Sequence, residues 1–116
     1  MDITTFERLV AEVLDAMPER VLAQLDNVAF LVEPRSEDGE RLGEYRGVPR
    51  VERHDADIAP FPDQIVLYHE DIVDECEGDP AAVREEVERT LWHEIAHHLG
   101  WDDDVLHKVE TKKGWR

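Results

Sequence analysis

Leu91-Trp92-His93-Glu94-Ile95-Ala96-His97-His98-Leu99-Gly100-Trp101-Asp102-Asp103-Asp104 is the stretch on which the reading of this chain turns. At its centre, His93 to His97 spell the pattern H-E-x-x-H. On an α-helix, residues four apart stand one above the other, so both imidazoles can meet a single metal ion. Glu94, one position on, projects beside that ion. Neutral imidazole suits Zn²⁺ at about 2.0 to 2.1 Å, and a zinc that does chemistry takes a third protein ligand while leaving one position for water.

Asp103 is the candidate third ligand, because His93, Glu94, His97, Gly100 and Asp103 read together as H-E-x-x-H-x-x-G-x-x-D. A straight helix would carry Asp103 past the metal. Gly100 can take a left-handed conformation at little cost, ending the helix and turning the chain back. His107 and Glu110 are the alternative third ligands, and Asp102 and Asp104 stand one residue out of register. His98 lies about 100° round the helix from His97, nearer the apolar side. It is expected in the core or supporting a ligand, rather than on the metal.

This extended signature resembles that of the zincin metallopeptidases, in the variant where aspartate replaces the third histidine of metzincins. The segments Leu42-Gly43-Glu44-Tyr45-Arg46-Gly47-Val48-Pro49 and Pro62-Asp63-Gln64-Ile65-Val66-Leu67-Tyr68, followed by the metal helix, are similar to the small bacterial family of minimal zincins. The likeness runs from about Leu42 to Asp104, and only the metal motif within it is chemically specific. Metzincins place a methionine turn after the third ligand, whereas the methionines here are Met1 and Met17. Any floor under the metal is built otherwise.

The resemblance implies a zinc-dependent peptidase with His93, His97 and Asp103 on the metal and Glu94 as general base, acting on a peptide or protein. It also implies that a strand beside the metal helix forms the edge of the cleft. Ile65 to His69 is the strand expected there, with Ile65, Leu67 and His69 meeting an extended substrate by strand addition. Two other readings stay open: a zinc-binding or peptide-binding module of the same fold without turnover, and a structural zinc closed by a fourth side chain such as His107. Carboxylate ligation admits Mn²⁺ or Fe²⁺, but two imidazoles favour zinc.

Composition agrees with a small unit. The 116 residues suit one domain, residues 1–116, with one modest core. Thirteen Lys and Arg against twenty-nine Asp and Glu give a net charge of −16. That argues against nucleic acid and against anionic lipid as partners. Cys76 is the single cysteine, which excludes an internal disulfide and a cysteine-built zinc site. The N-terminus lacks a basic region followed by an apolar core, and no apolar run approaches the roughly 18 residues of a membrane span. A cytoplasmic location is the expectation.

Periodicity then orders the rest as an α+β fold: an N-terminal helical segment, a small mixed β-sheet, and the H-E-x-x-H helix packed against it. Thr4-x-x-Glu7 has capping-box spacing, and Phe6, Leu9, Val10, Val13, Leu14 and Met17 recur at helical intervals, so Thr5 to Met17 is read as a helix. Pro18 to Leu25 reads as a short second helix, and Asp26-Asn27 as a turn. Val28 to Val32, Val48 to Arg53 and Ile65 to His69 read as strands, with Glu33 to Gly47 as loop. Tyr45 is expected to pack on the core. Glu70 to Asp79 carries six acids and no base. It reads as a solvated helix and loop, the alternative being an acidic rim that meets a basic substrate segment. Asp79 and Pro80 open the metal helix as cap and first turn, and Val83, Val87, Leu91 and Ile95 are its sheet-facing stripe. Trp101 is expected to cover apolar surface, and Val105 to Lys113 to form a last helix.

Overall fold

The computed structural model describes residues 1–47, 62–101, 108 and 112. The expected strand at Val48 to Arg53, Asp103 and the alternative ligands His107 and Glu110 lie outside them. Of the expected last helix, Lys108 and Lys112 are described, and both are helical.

The architecture is α+β, as expected. Helix α1 (Ile3–Asp15) and a single turn α2 (Glu19–Leu22) precede strand β1 (Val28–Glu33) and strand β2 (Gly43–Arg46). Strand β3 (Asp63–Tyr68) then leads into α3 (His69–Glu75) and the long α4 (Pro80–Leu99). The cap of α1 is not the Thr4 box: Asp2 accepts a hydrogen bond from the Thr5 amide at 2.8 Å, which moves the helix start two residues earlier. No described helix is long and apolar enough to cross a membrane.

The sheet has the order β1-β3-β2, with β1 parallel and β2 antiparallel to β3. Two expectations fail here. Gly43 to Arg46 is a strand rather than loop, and the strand at Ile65 and Leu67 is central rather than an edge. Both its sides are spent on β1 and β2, so no peptide can add to it. Ile65 and Leu67 are buried, and His69 begins α3, with its ring 5.2 Å from that of Phe6 and its Nε2 2.6 Å from the Met1 carbonyl oxygen. Among the described residues, the edge beside α4 belongs to β2.

Alternation across β3 sorts the sheet's two faces. Ile65 and Leu67 join Phe6, Val10 and Val13 of α1 and Val83, Val87, Leu91 and Ile95 of α4 in one apolar core. All four α4 residues of that stripe have no exposed surface, each contributing about 1.5 to 3 kcal/mol on burial. On the opposite face, Tyr68 of β3 donates its hydroxyl to Glu44 of β2 at 2.9 Å, and Arg46 binds Glu33 of β1 through two contacts of 3.1 and 3.2 Å. These cross-strand polar pairs tie three strands on the face that also buries Val66.

Candidate metal centre

α4 begins as the sequence predicts. Asp79 accepts from the Ala82 amide at 3.1 Å and Pro80 fills the first turn. It ends at Gly100, whose φ of +69° is left-handed; its amide reaches the His97 carbonyl at 3.2 Å and the Trp101 amide reaches that of Ala96 at 2.9 Å. Trp101 then stacks on Trp92 with ring centroids 6.2 Å apart, covering apolar surface.

Between Thr90 and Leu99 every residue is buried except His93 and His97. The helix is thus enclosed along its last turns apart from one opening, and the two histidines of the motif stand in it. Their ring centroids are 5.8 Å apart. Two imidazoles gripping one tetrahedral ion would stand roughly 5 to 6 Å apart by centroid. Glu94, one position round, is only 8 % exposed. Its buried Oε1 is paired with His97 Nδ1 at 3.3 Å. Burial pushes the Glu94 carboxyl up from its ordinary value, opposed in part by His97 and His93.

These observations fit a metal: two solvent-exposed imidazoles at bridging distance, and beside them a buried carboxylate. Among the described residues no three His, Cys, Asp or Glu side chains converge on one point. Asp103, the third ligand read from the sequence, lies outside those residues.

Strand β2 makes the other wall. Gly43 sits so close to α4 that a Cβ on it would fall 2.6 Å from Thr90 Cγ2 and 3.0 Å from the Val66 carbonyl oxygen. The edge strand can therefore lie this close to α4 because that position is glycine. Two hollows flank the contact. One, of about 240 Å³, is bordered by His93, Glu94, Gly43 and Thr90. The other, of about 370 Å³, is bordered by His97, Glu94, Gly43, Glu44 and Tyr45. Glu94 faces both. A larger hollow of about 570 Å³ lies at the polar face around Arg46 and Tyr68, where the arginines are engaged in ion pairs and no motif residue contributes.

His98 is 1 % exposed, in agreement with a supporting rather than ligating role. Its Nδ1 is 3.0 Å from Asp63 Oδ2 at the start of β3, and the Tyr45 hydroxyl donates to the same oxygen at 2.9 Å. Tyr45 packs on the core as expected, and it also borders the hollow beside His97. Sequence reasoning missed β2 and its Glu44. The available signal was Gly43 and Tyr45 alternating with Glu44 and Arg46, too short to stand out among charged neighbours.

A helix presenting two histidines and a buried glutamate into a cleft, packed on a small mixed sheet whose edge strand runs beside it, defines a zincin-like domain. The chain matches the model of the zincin-like metallopeptidase family over residues 25–113 and belongs to that family. Its fold is similar to that of a conserved hypothetical protein from Thermus thermophilus, with 30 % identity and a TM-score of 0.57 over 85 % of this chain and 94 % of the other. No curated protein matches the chain.

Proposed function

We propose that this protein is a zinc-dependent peptidase, in which His93, His97 and Asp103 hold the metal and Glu94 handles the protons. The observation that carries the reading is the contrast within one helical turn: His93 and His97 exposed to solvent, Glu94 buried between them with its Oε1 3.3 Å from His97 Nδ1. Membership of a family that generally binds zinc supports the choice of metal.

Bound zinc would supply Lewis-acid polarisation of the substrate carbonyl and make water acidic enough to lose a proton near neutrality. Glu94 then acts as general base, its Oε1 accepting the proton of the attacking water, and afterwards returns it to the leaving amine. Burial suits Glu94 to this exchange, because a carboxyl pushed above its ordinary value is a better proton acceptor. An extended peptide would add to β2, an edge strand among the described residues, with its backbone pairing along Gly43 to Arg46. That places the chain between the strand and the histidines.

The test is a digest of a mixed peptide library by the zinc-loaded protein. Wild type should cleave in a chelator-sensitive manner, and Glu94→Gln, which keeps shape and loses the base, should fall by a factor of about 10² to 10⁴. Equal cleavage by Glu94→Gln would remove Glu94 from the reaction, and no cleavage by loaded wild type would leave a binding module.

A further inference from the structure

Asp63 is itself held in place by the sheet. Its amide donates to the Asn27 carbonyl at 3.0 Å, and it pairs with Val28 of β1. Its buried carboxylate then gathers two other elements. Oδ2 lies 3.0 Å from His98 Nδ1 of α4 and accepts the Tyr45 hydroxyl of β2 at 2.9 Å. The backbone of Gly47, just past β2, closes on the same carboxylate: a Cβ there would fall 2.5 Å from Oδ1 and 2.6 Å from Cγ. Tyr45, Gly47 and Asp63 come from residues 42–49 and 62–68, to which the metal motif itself assigns no chemistry.

An imidazole meets a carboxylate oxygen through a nitrogen that carries hydrogen, so His98 Nδ1 donates. Both partners are buried. A bond to a charged acceptor, shielded from water, is among the strongest and most directional contacts a helix can make.

Direction is what the rest of the helix packing supplies least. Val83, Val87, Leu91 and Ile95 draw α4 to the sheet by apolar burial, a force without preferred direction. Metal ligation is far less tolerant. Helix side chains reach about 5 to 6 Å from the axis, so a rotation of about 10° swings an imidazole through about 1 Å. A metal ligand must hold its distance to about 0.2 Å. His98 adjoins His97 and stands two residues before Gly100, where the helix ends, three residues ahead of Asp103 in the sequence.

We propose that Asp63 is a positioning residue of the metal centre: through His98 it fixes the rotation of the last turn of α4, and so the place that His97 takes on the metal. The proposal rests on the zinc-binding half of the peptidase reading and needs no turnover.

The experiment measures zinc affinity by competition with a chelator, in samples that circular dichroism shows to be folded, together with the visible spectrum of the cobalt-loaded protein, which reports ligand geometry. Asp63→Ala, which removes the acceptor, should bind zinc about 10 to 100 times more weakly than wild type, with an altered cobalt spectrum. Asp63→Asn keeps an acceptor of the same shape without the charge and should fall between the two; where Asp63→Ala does not fold, it carries the comparison. Val13→Ala, a core truncation on α1, lowers the urea midpoint without touching the carboxylate, and its zinc affinity and cobalt spectrum should match wild type. A role confined to stability would leave the affinity of folded protein unchanged. Wild-type affinity and spectrum in the folded Asp63 variants, or equal weakening by Val13→Ala, would overturn the proposal while leaving the peptidase reading in place. Zinc affinity that depends on Asp63, without any cleavage of the peptide library, keeps the positioning role and removes the peptidase. A wild type that binds no zinc overturns both.

Discussion

His98 Nδ1 lies 3.0 Å from Asp63 Oδ2, and that contact fastens the last turn of α4 to the first residue of β3. Both side chains are buried, at 1 % and 8 % exposure. The neighbouring residue His97 inherits its position from this anchor. Tyr45 of β2 donates to the same carboxylate oxygen, so all three parts of the cleft meet at Asp63.

Removing that anchor should be costly. Asp63→Ala leaves a buried imidazole and a tyrosine hydroxyl without their shared acceptor, and should destabilise the protein by about 3 kcal/mol. Tyr45→Phe removes one donor and should cost about 1 kcal/mol. Urea unfolding measures both. A loss below about 1 kcal/mol for Asp63→Ala would show that α4 is held in place by apolar packing alone.

The close approach of β2 to α4 makes a second prediction. Gly43→Ala sets a methyl against Thr90 Cγ2, where 2.6 Å is far too short, and should cost about 1 to 3 kcal/mol. Thr90→Ser removes that methyl while keeping the hydroxyl bound to Glu86. The double variant should recover part of the loss, short of wild type because the Val66 carbonyl still stands at 3.0 Å. Purely additive effects in unfolding experiments would mean that the strand and helix do not press on each other at this point.

Stability should depend on acid through Glu44. Hydrogen bonds from Arg46 first, then Tyr68, hold its carboxyl below the ordinary value of 4.5. A group depressed in the folded state stabilises fully above its unfolded pKa and loses that contribution as pH falls through its folded pKa. Wild type should therefore exceed Glu44→Gln in stability at neutral pH by a margin that shrinks only below about pH 4.5. Parallel urea titrations would show this convergence, and a constant gap down to strongly acidic pH would contradict it.

Helix α4 could be read from the sequence almost residue by residue because its signals are local: Asp79 and Pro80 at one end, Gly100 at the other, and the apolar stripe between. The exposure of His93 and His97 follows from that same periodicity. What the sequence left hidden is pairing. Gly43 to Arg46 is a strand because β3 lies beside it and because Glu44 and Arg46 find partners on Tyr68 and Glu33, none of which adjoins it in the chain. Ile65 and Leu67 are as apolar in a central strand as they would be at an edge, so composition cannot order the sheet. The Asp63–His98 contact joins residues 35 positions apart by number, and a lone buried histidine gives no hint of which carboxylate it will meet.

The most direct test of the metal centre is zinc content. Purified wild type, His93→Ala, His97→Ala, Asp103→Ala and Glu94→Gln would be dialysed against limiting zinc and assayed for bound metal. About one zinc per chain is expected for wild type and Glu94→Gln, with loss of it in both histidine variants and in Asp103→Ala. Full zinc in His93→Ala or His97→Ala, with the fold intact by circular dichroism, would contradict that expectation.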